Sequence, residues 1–132
     1  VRQSAVKKLS RGWKEDPETL AIIKERARSD VSRVVRQSAL QELSRGWKKE
    51  PETLKILKER AQSDGNVAVR KSAVRQVARG WKYDLDTLAW LKELAQSNGK
   101  GAMRKSAVRE LARGWKDDPE VLAFLKSLSR IT

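Results

Sequence analysis

Apolar residues recur along the chain with the spacing of amphipathic helices, and the whole pattern repeats every 34 residues. Over residues 35–48, the apolar positions fall within about 140° of one another on a helical wheel, opposite a polar side. The next apolar stripe comprises Leu54, Leu57 and Ala61, at i, i+3 and i+7, and predicts a second helix. No useful stretch alternates with the period of two that marks a strand. The pattern therefore predicts pairs of helices.

The repeated copies are recognisable by a four-residue motif that keeps a constant spacing. Arg-Gly-Trp-Lys occurs at 11–14, 45–48, 79–82 and 113–116, which defines copies at 1–34, 35–68, 69–102 and 103–132. One helix pair cannot bury its own apolar face, so neighbouring copies must supply the rest of the core. The sequence therefore predicts an all-α fold. The predicted architecture is a right-handed α-solenoid of four 34-residue helix pairs, with eight helices in a single repeat array over 1–132.

Helix-start signals precede the second helix of most copies. An acid and a proline open this helix at Asp16-Pro17, Glu50-Pro51 and Asp118-Pro119, whereas the third copy keeps only the acids. An acidic side chain at the cap can accept hydrogen bonds from unpaired backbone N–H groups, and proline suits the first helical position. A tryptophan precedes this start in every copy, and we expect it to pack near the turn between the helices. These structural aromatic residues are Trp13, Trp47, Trp81 and Trp115.

The turn between copies resembles that of HEAT repeats. In that family an aspartate at the turn precedes a Val-Arg pair that opens the following helix. The corresponding residues are Asp30 before Val35-Arg36, Asp64 before Val69-Arg70, and Asn98 before Met103-Arg104. The chain is similar over its whole length to the short bacterial HEAT units of phycobilin-lyase-like proteins and NACHT-associated arrays. Tetratricopeptide repeats share the period of 34, but the positions of their leading Trp and later Tyr are not matched here.

One charged residue lies inside the apolar arc of the first helix. Arg36 falls at about 100° on the wheel, where an unpaired charge would be costly. A carboxylate from Asp30 or Asp64 must therefore lie near its guanidinium group. Together with the resemblance, this predicts a structural ladder of turn residues and arginines. Its members are Asp30, Arg36, Asp64, Arg70, Asn98 and Arg104.

Positive charge is concentrated on the first helix of each pair. The chain carries 30 Lys and Arg against 17 Asp and Glu, a formal net charge of +13. The four first-helix segments are residues 1–14, 35–48, 69–82 and 103–116. They alone hold 18 basic and two acidic residues, so the remainder of the chain is slightly acidic. Their third, seventh, eleventh and fourteenth positions lie within about 80° of one another, away from the core. We call the cations at these positions the basic band: Lys7, Arg11, Lys14, Arg45, Lys48, Lys71, Arg75, Arg79, Lys82, Lys105, Arg109, Arg113 and Lys116.

The basic band predicts binding to a negatively charged partner. The leading hypothesis is a non-catalytic binding or scaffold module, a section of a HEAT-like array whose basic, concave face binds an acidic protein surface. A first alternative is a solenoid that binds nucleic acid without sequence specificity. Because the basic band has almost no aromatic residues to stack on bases, such a solenoid would contact the phosphate backbone of a duplex. A second alternative is an idealised or designed repeat protein without a natural ligand, which near-identical copies and a start at a repeat boundary would suit.

Catalysis, metals and membranes are not expected. The chain has no His and no Cys, which removes the commonest metal ligands and nucleophile–base pairs, so no enzyme activity, metal or cofactor is predicted. Among residues that break the repeat, Trp90 and Phe124 are interpreted as packing residues and Tyr83 as a solvated turn residue. The longest apolar run is five residues and no signal-peptide pattern occurs, which favours a cytoplasmic location without a membrane partner. Uncapped end copies leave end-to-end self-association open.

Overall fold

A computed structural model describes residues 1–96 and 101–130. Over these residues the chain forms eight α-helices and no strand, which confirms the all-α fold and the pairing of helices. The helices are α1 (Arg2–Gly12), α2 (Pro17–Ser29), α3 (Arg33–Gly46), α4 (Pro51–Ser63), α5 (Val67–Gly80), α6 (Leu85–Gln96), α7 (Gly101–Gly114) and α8 (Pro119–Ser129). They belong to two compact units, Val1–Gln76 (unit 1) and Val77–Thr132 (unit 2), with the boundary inside α5. None of the described helices is both long and apolar enough to cross a bilayer. The handedness and continuity of the array stay predictions.

In unit 1, successive helices bury a shared apolar core. α2 contacts both α3 and α4, and α1 contacts α3. The fully buried apolar side chains of unit 1 include Ile23, Leu40, Leu43 and Leu57. The prediction for α4 was wrong in one residue, because Leu54 is only partly buried. The buried stripe has the usual i, i+3, i+4 and i+8 spacing but is rotated away from that side chain, and it runs through Thr53, Ile56, Leu57 and Ala61.

In unit 2, α7 contacts its two neighbours in sequence, α6 and α8. Leu91 of α6, Leu111 of α7 and Val121 of α8 are fully buried. Trp90 is buried too, in the position that Ile56 fills in the copy before it, so it serves as a core residue. The turn before α6 instead carries an exposed side chain, Tyr83.

The acids that precede the second helices do not all act as caps. The carboxylate of Asp16 accepts a hydrogen bond from the backbone N–H of Glu18 at 2.9 Å, and Asp118 caps α8 in the same way. Glu50 stands at the same place before α4 but makes no cap bond. Because its side chain is one methylene longer, its carboxylate reaches out to Nζ of Lys24, at 3.2 Å. The prediction of an acidic cap was therefore wrong for α4.

Each first helix ends at the glycine of the Arg-Gly-Trp-Lys motif. Gly46, for example, is the last residue of α3, and no described residue has a positive φ. The next residue closes the turn, because the N–H of Trp47 donates to the carbonyl of Leu43 at 2.9 Å and its carbonyl accepts from Glu50 at 3.1 Å. Glycine is therefore not required here for a left-handed backbone conformation.

Candidate functional site

Buried aspartates connect the turns of unit 1 to its first helices. The carboxylate of Asp64 has no exposed surface and accepts two hydrogen bonds from Arg36, Nε to Oδ2 at 2.8 Å and Nη2 to Oδ1 at 3.0 Å. Asp30 accepts the equivalent pair from Arg2, at 2.9 and 3.3 Å. Arg36 also donates through Nη1 to the backbone carbonyl of Asp30 at 2.7 Å. One guanidinium group therefore joins two successive turns.

Hydrogen bonds keep both aspartates ionised. Burial alone would raise the pKa of Asp64, but hydrogen bonds from Arg36 and from the backbone N–H of Asn66 outweigh burial and lower that pKa. Burial would likewise raise the pKa of Asp30, and the hydrogen bond from Arg2 leads the contacts that lower it instead. A lowered pKa suits a structural anion and is the wrong direction for a general acid.

The ladder continues to Arg70 in the described residues. This side chain is buried and donates through Nη1 to the backbone carbonyl of Asp64 at 2.6 Å, which repeats the bond from Arg36 to Asp30. Arg104 is exposed on α7, and Asn98 lies outside the described residues. The four described members from Asp30 to Arg70 are therefore brought together, in unit 1.

A buried glutamate in unit 1 holds two arginines of the basic band. Glu42, on α3, is 4% exposed. Its Oε2 lies 3.3 Å from Nη2 of Arg11, and its Oε1 lies 3.7 Å from Nη2 of Arg45. The hydroxyl of Ser10 also donates to this carboxylate. Sequence reasoning counted Glu42 only as one negative charge, because it falls just outside the apolar arc of the helix.

The same arrangement recurs in unit 2. Glu110 on α7 is buried, and its Oε1 lies 3.3 Å from Nε of both Arg79 and Arg113. The signal was present in the sequence, because Glu42 and Glu110 are the only acids in the first-helix segments and share the eighth position of their copies. Four arginines of the basic band are therefore paired with carboxylates and have a structural role.

The lysine of one motif lies against the glycine and tryptophan of the next. In unit 1, Nζ of Lys14 is 5.8 Å from the ring centroid of Trp47, within the range of a cation–π contact. A Cβ added to Gly46 would lie 3.8 Å from Cε of Lys14, so the lysine stem passes beside this glycine. In unit 2, Lys82 approaches the ring of Trp115 at 6.0 Å. These lysines are therefore engaged at the repeat interface.

The tryptophans of the motif differ in exposure. Trp13, in the first copy, is 61% exposed, whereas Trp47, Trp81 and Trp115 are partly buried. Lys14 lies over the ring of Trp47, and Lys82 lies over that of Trp115. The described contacts of these two rings are therefore those of packing residues.

Six cations of the basic band form no ion pair with any described residue. Three of them belong to the fourth copy, where they are exposed at its third, seventh and fourteenth positions. The set comprises Lys7, Lys71, Arg75, Lys105, Arg109 and Lys116, which we call the free cations. Lys48 is exposed as well.

Glutamine replaces the free cation at the third position of the first two copies. Nε2 of Gln3 donates to Oγ of Ser38 at 2.9 Å, and Nε2 of Gln37 donates to the backbone carbonyl of Ala68 at 3.4 Å. Ser38 lies on α3 and Ala68 lies on α5, so each glutamine reaches the next first helix. Five of the free cations are exposed instead, and Lys7 is half-buried.

Charges on the second helices of unit 1 neutralise one another. Nζ of Lys24 lies 3.2 Å from Glu50 and 3.0 Å from Glu52, and Nη2 of Arg28 lies 3.2 Å from Glu52. Burial would lower the pKa of Lys24, but the hydrogen bonds to both glutamates outweigh it and raise that pKa. Unpaired positive charge also occurs on α4, at Lys55, but the only two acids of the first-helix segments, Glu42 and Glu110, are buried. These segments therefore offer no exposed carboxylate to their free cations.

The chemistry offered by this face is the binding of anions by guanidinium and ammonium groups. Within residues 1–96 and 101–130, no group of three or more His, Cys, Asp or Glu side chains is arranged to hold a metal ion. Comparisons of the chain with protein-family models, with curated proteins and with solved structures found no match.

Proposed function

We propose that the protein is a non-catalytic binding module whose basic band binds an acidic protein surface. The observation that carries the proposal is the contrast in pairing between the two helix faces. On the second helices of unit 1, Lys24 and Arg28 pair with glutamates, although Lys55 has no ion pair in the described residues. In the first-helix segments, six cations have no carboxylate partner in the described chain, and the only two acids are buried. Exposed charge of one sign attracts a partner of the other sign.

The buried carboxylates support a role without catalysis. Asp30, Asp64, Glu42 and Glu110 are each held by at least one arginine. A general acid at neutral pH needs a raised pKa, and the two aspartates have a lowered one. These acids therefore serve the interfaces between copies.

We also propose that the array is of the HEAT type. The support is the bidentate pairing of Asp64 with Arg36, which joins the turn after one helix pair to the first helix of that pair. The bond from Arg36 to the carbonyl of Asp30 extends the contact to the preceding turn. An array of this kind presents the same helix face from every copy, which suits a binding surface.

Nucleic acid is the second candidate partner, and one observation restricts how it would bind. Lys14 and Lys82 lie over the rings of Trp47 and Trp115, which makes these rings poor platforms for stacked bases. A contact with nucleic acid would then be made to phosphates, so a duplex would bind at least as well as a single strand.

Fluorescence anisotropy tests the proposed function. The probes are a labelled alternating Glu-Ser peptide and a labelled short DNA duplex, each titrated at about 50 mM and about 150 mM salt. We expect the peptide to bind at the lower salt and to weaken at the higher. Replacement of all six free cations by glutamine should abolish binding and leave the far-UV circular dichroism unchanged. The proposal would be refuted if the protein bound neither probe at the lower salt.

A further inference from the structure

The free cations are not spread evenly over the copies, and the fourth copy carries the most. Lys105 and Arg109 lie on α7 and Lys116 lies in the turn that follows it, and all three are exposed without an ion pair in the described chain. We propose that an extended acidic polypeptide segment docks along this α7 row. The proposal rests on the proposed function and adds the place of contact and the class of partner.

Lys105 and Arg109 lie in line on α7, and Lys116 follows in the turn after the helix ends at Gly114. Positions i and i+4 of a helix lie within about 40° of one another on the wheel. At about 1.5 Å per residue, Lys105 and Arg109 are separated by about 6 Å along the axis. Ala112 lies on the same line and is exposed, so a small side chain leaves room above the row.

An extended peptide matches the spacing of this row. Consecutive residues of an extended chain advance about 3.3–3.6 Å, so alternate side chains on one face are about 7 Å apart. Two acids separated by one residue would therefore face Lys105 and Arg109. Lys116, in the turn beyond the helix, can use its flexible stem to reach a third acid.

Acids at the end of the row favour a short segment over a long polyanion. Asp117 is exposed directly after Lys116, and Asp118 follows as the cap of α8. A duplex that continued past Lys116 would bring its phosphates against these carboxylates, and like charges repel. A peptide of limited length can end before them.

The second copy provides a built-in comparison with the same architecture. The positions of Lys105 and Arg109 are held there by Gln37 and Gln41 on α3. The described fold therefore accepts glutamine at both places. The double variant Lys105→Gln with Arg109→Gln converts the α7 row to the residues of α3 and is expected to fold normally.

The matched control removes the same two charges from elsewhere on the protein. Lys55 on α4 and Lys126 on α8 are exposed second-helix residues without an ion pair in the described residues. The double variant Lys55→Gln with Lys126→Gln has the same net charge as the α7 variant. A difference between the two variants therefore measures position and not charge.

The experiment compares the wild type and both variants by anisotropy, with the Glu-Ser peptide and the DNA duplex as probes. We expect the α7 variant to bind the peptide about tenfold more weakly at low salt and the control to change less than about twofold. Equal losses in both variants would overturn the α7 row while leaving charge-driven binding by the module intact. Binding of the duplex that is tighter than that of the peptide, and is lost in the α7 variant, would overturn the class of partner. If the wild type binds neither probe, the proposed function itself fails.

Discussion

Asp64→Asn tests the ladder of buried aspartates at its best-connected member. The substitution keeps the size and shape of the side chain, removes its charge and replaces one acceptor oxygen by an NH2 group, which can only donate. In the native protein the carboxylate is fully buried. It accepts bonds from Arg36 at 2.8 and 3.0 Å, from Arg60 at 3.4 Å and from the N–H of Asn66 at 2.9 Å.

The expected loss follows from these contacts. Removing one partner of a buried ion pair costs about 3–5 kcal/mol, because the other charge is left without compensation. Two features reduce this figure: asparagine keeps one acceptor oxygen, and the side chains of Arg36 and Arg60 are 14% and 20% exposed, so water reaches them. We therefore expect Asp64→Asn to lower the free energy of unfolding by about 2–3 kcal/mol at neutral pH.

The assay is urea unfolding followed by far-UV circular dichroism, with amide hydrogen exchange of α3 as a local readout. The local readout is needed because repeat proteins can unfold in parts. Asp117→Asn is the matched control, since Asp117 is exposed and has no ion pair in the described residues. The control should change stability by less than about 0.5 kcal/mol. A loss in Asp64→Asn no larger than in this control would show that the buried carboxylate does not stabilise the fold.

Three further predictions concern pH, the motif glycine and the second buried acid. The pKa of Asp64 is lowered in the folded state, so its stabilisation is complete above the ordinary pKa of 3.8 and is lost as the pH falls below that value. The stability difference between wild type and Asp64→Asn should accordingly shrink in urea titrations at acidic pH. Gly46→Ala should raise the free energy of unfolding by up to about 1 kcal/mol, because alanine favours the helix and its Cβ meets Lys14 at an ordinary 3.8 Å; a loss measured by urea titration would contradict this. Glu110→Gln should lower the free energy of unfolding by about 1–2 kcal/mol in the same titration, because Arg79 and Arg113 lose a shared carboxylate. An unchanged midpoint would show that these two ion pairs contribute nothing to stability.

Features that repeat in the sequence could be predicted well. The helix pairs follow from apolar spacing that recurs four times, and Arg36 could be matched to an aspartate because a charge inside an apolar arc needs a partner. Asp16 caps its helix as the acid and proline indicate. These inferences depend on local chemistry that every copy shares.

Other features depend on which residue of the next copy lies opposite, and the sequence does not contain that pairing directly. Glu42 is buried because a neighbouring first helix brings Ser10 and Arg11 against it. Glu50 fails to cap because Lys24 of the preceding copy attracts its longer side chain. The basic band was predicted as one set, and the structure separates its paired arginines from its free cations only through these contacts between copies.

NMR mapping of the bound peptide would locate its contact surface on the protein. Amide chemical shifts of the 15N-labelled protein would be followed while the Glu-Ser peptide is added at low salt. We expect shift changes in the first helices, centred on α7 around Arg109, with α2 and α4 unchanged. Changes centred on the second helices, or no changes at peptide concentrations where anisotropy reports binding, would overturn the proposed binding surface.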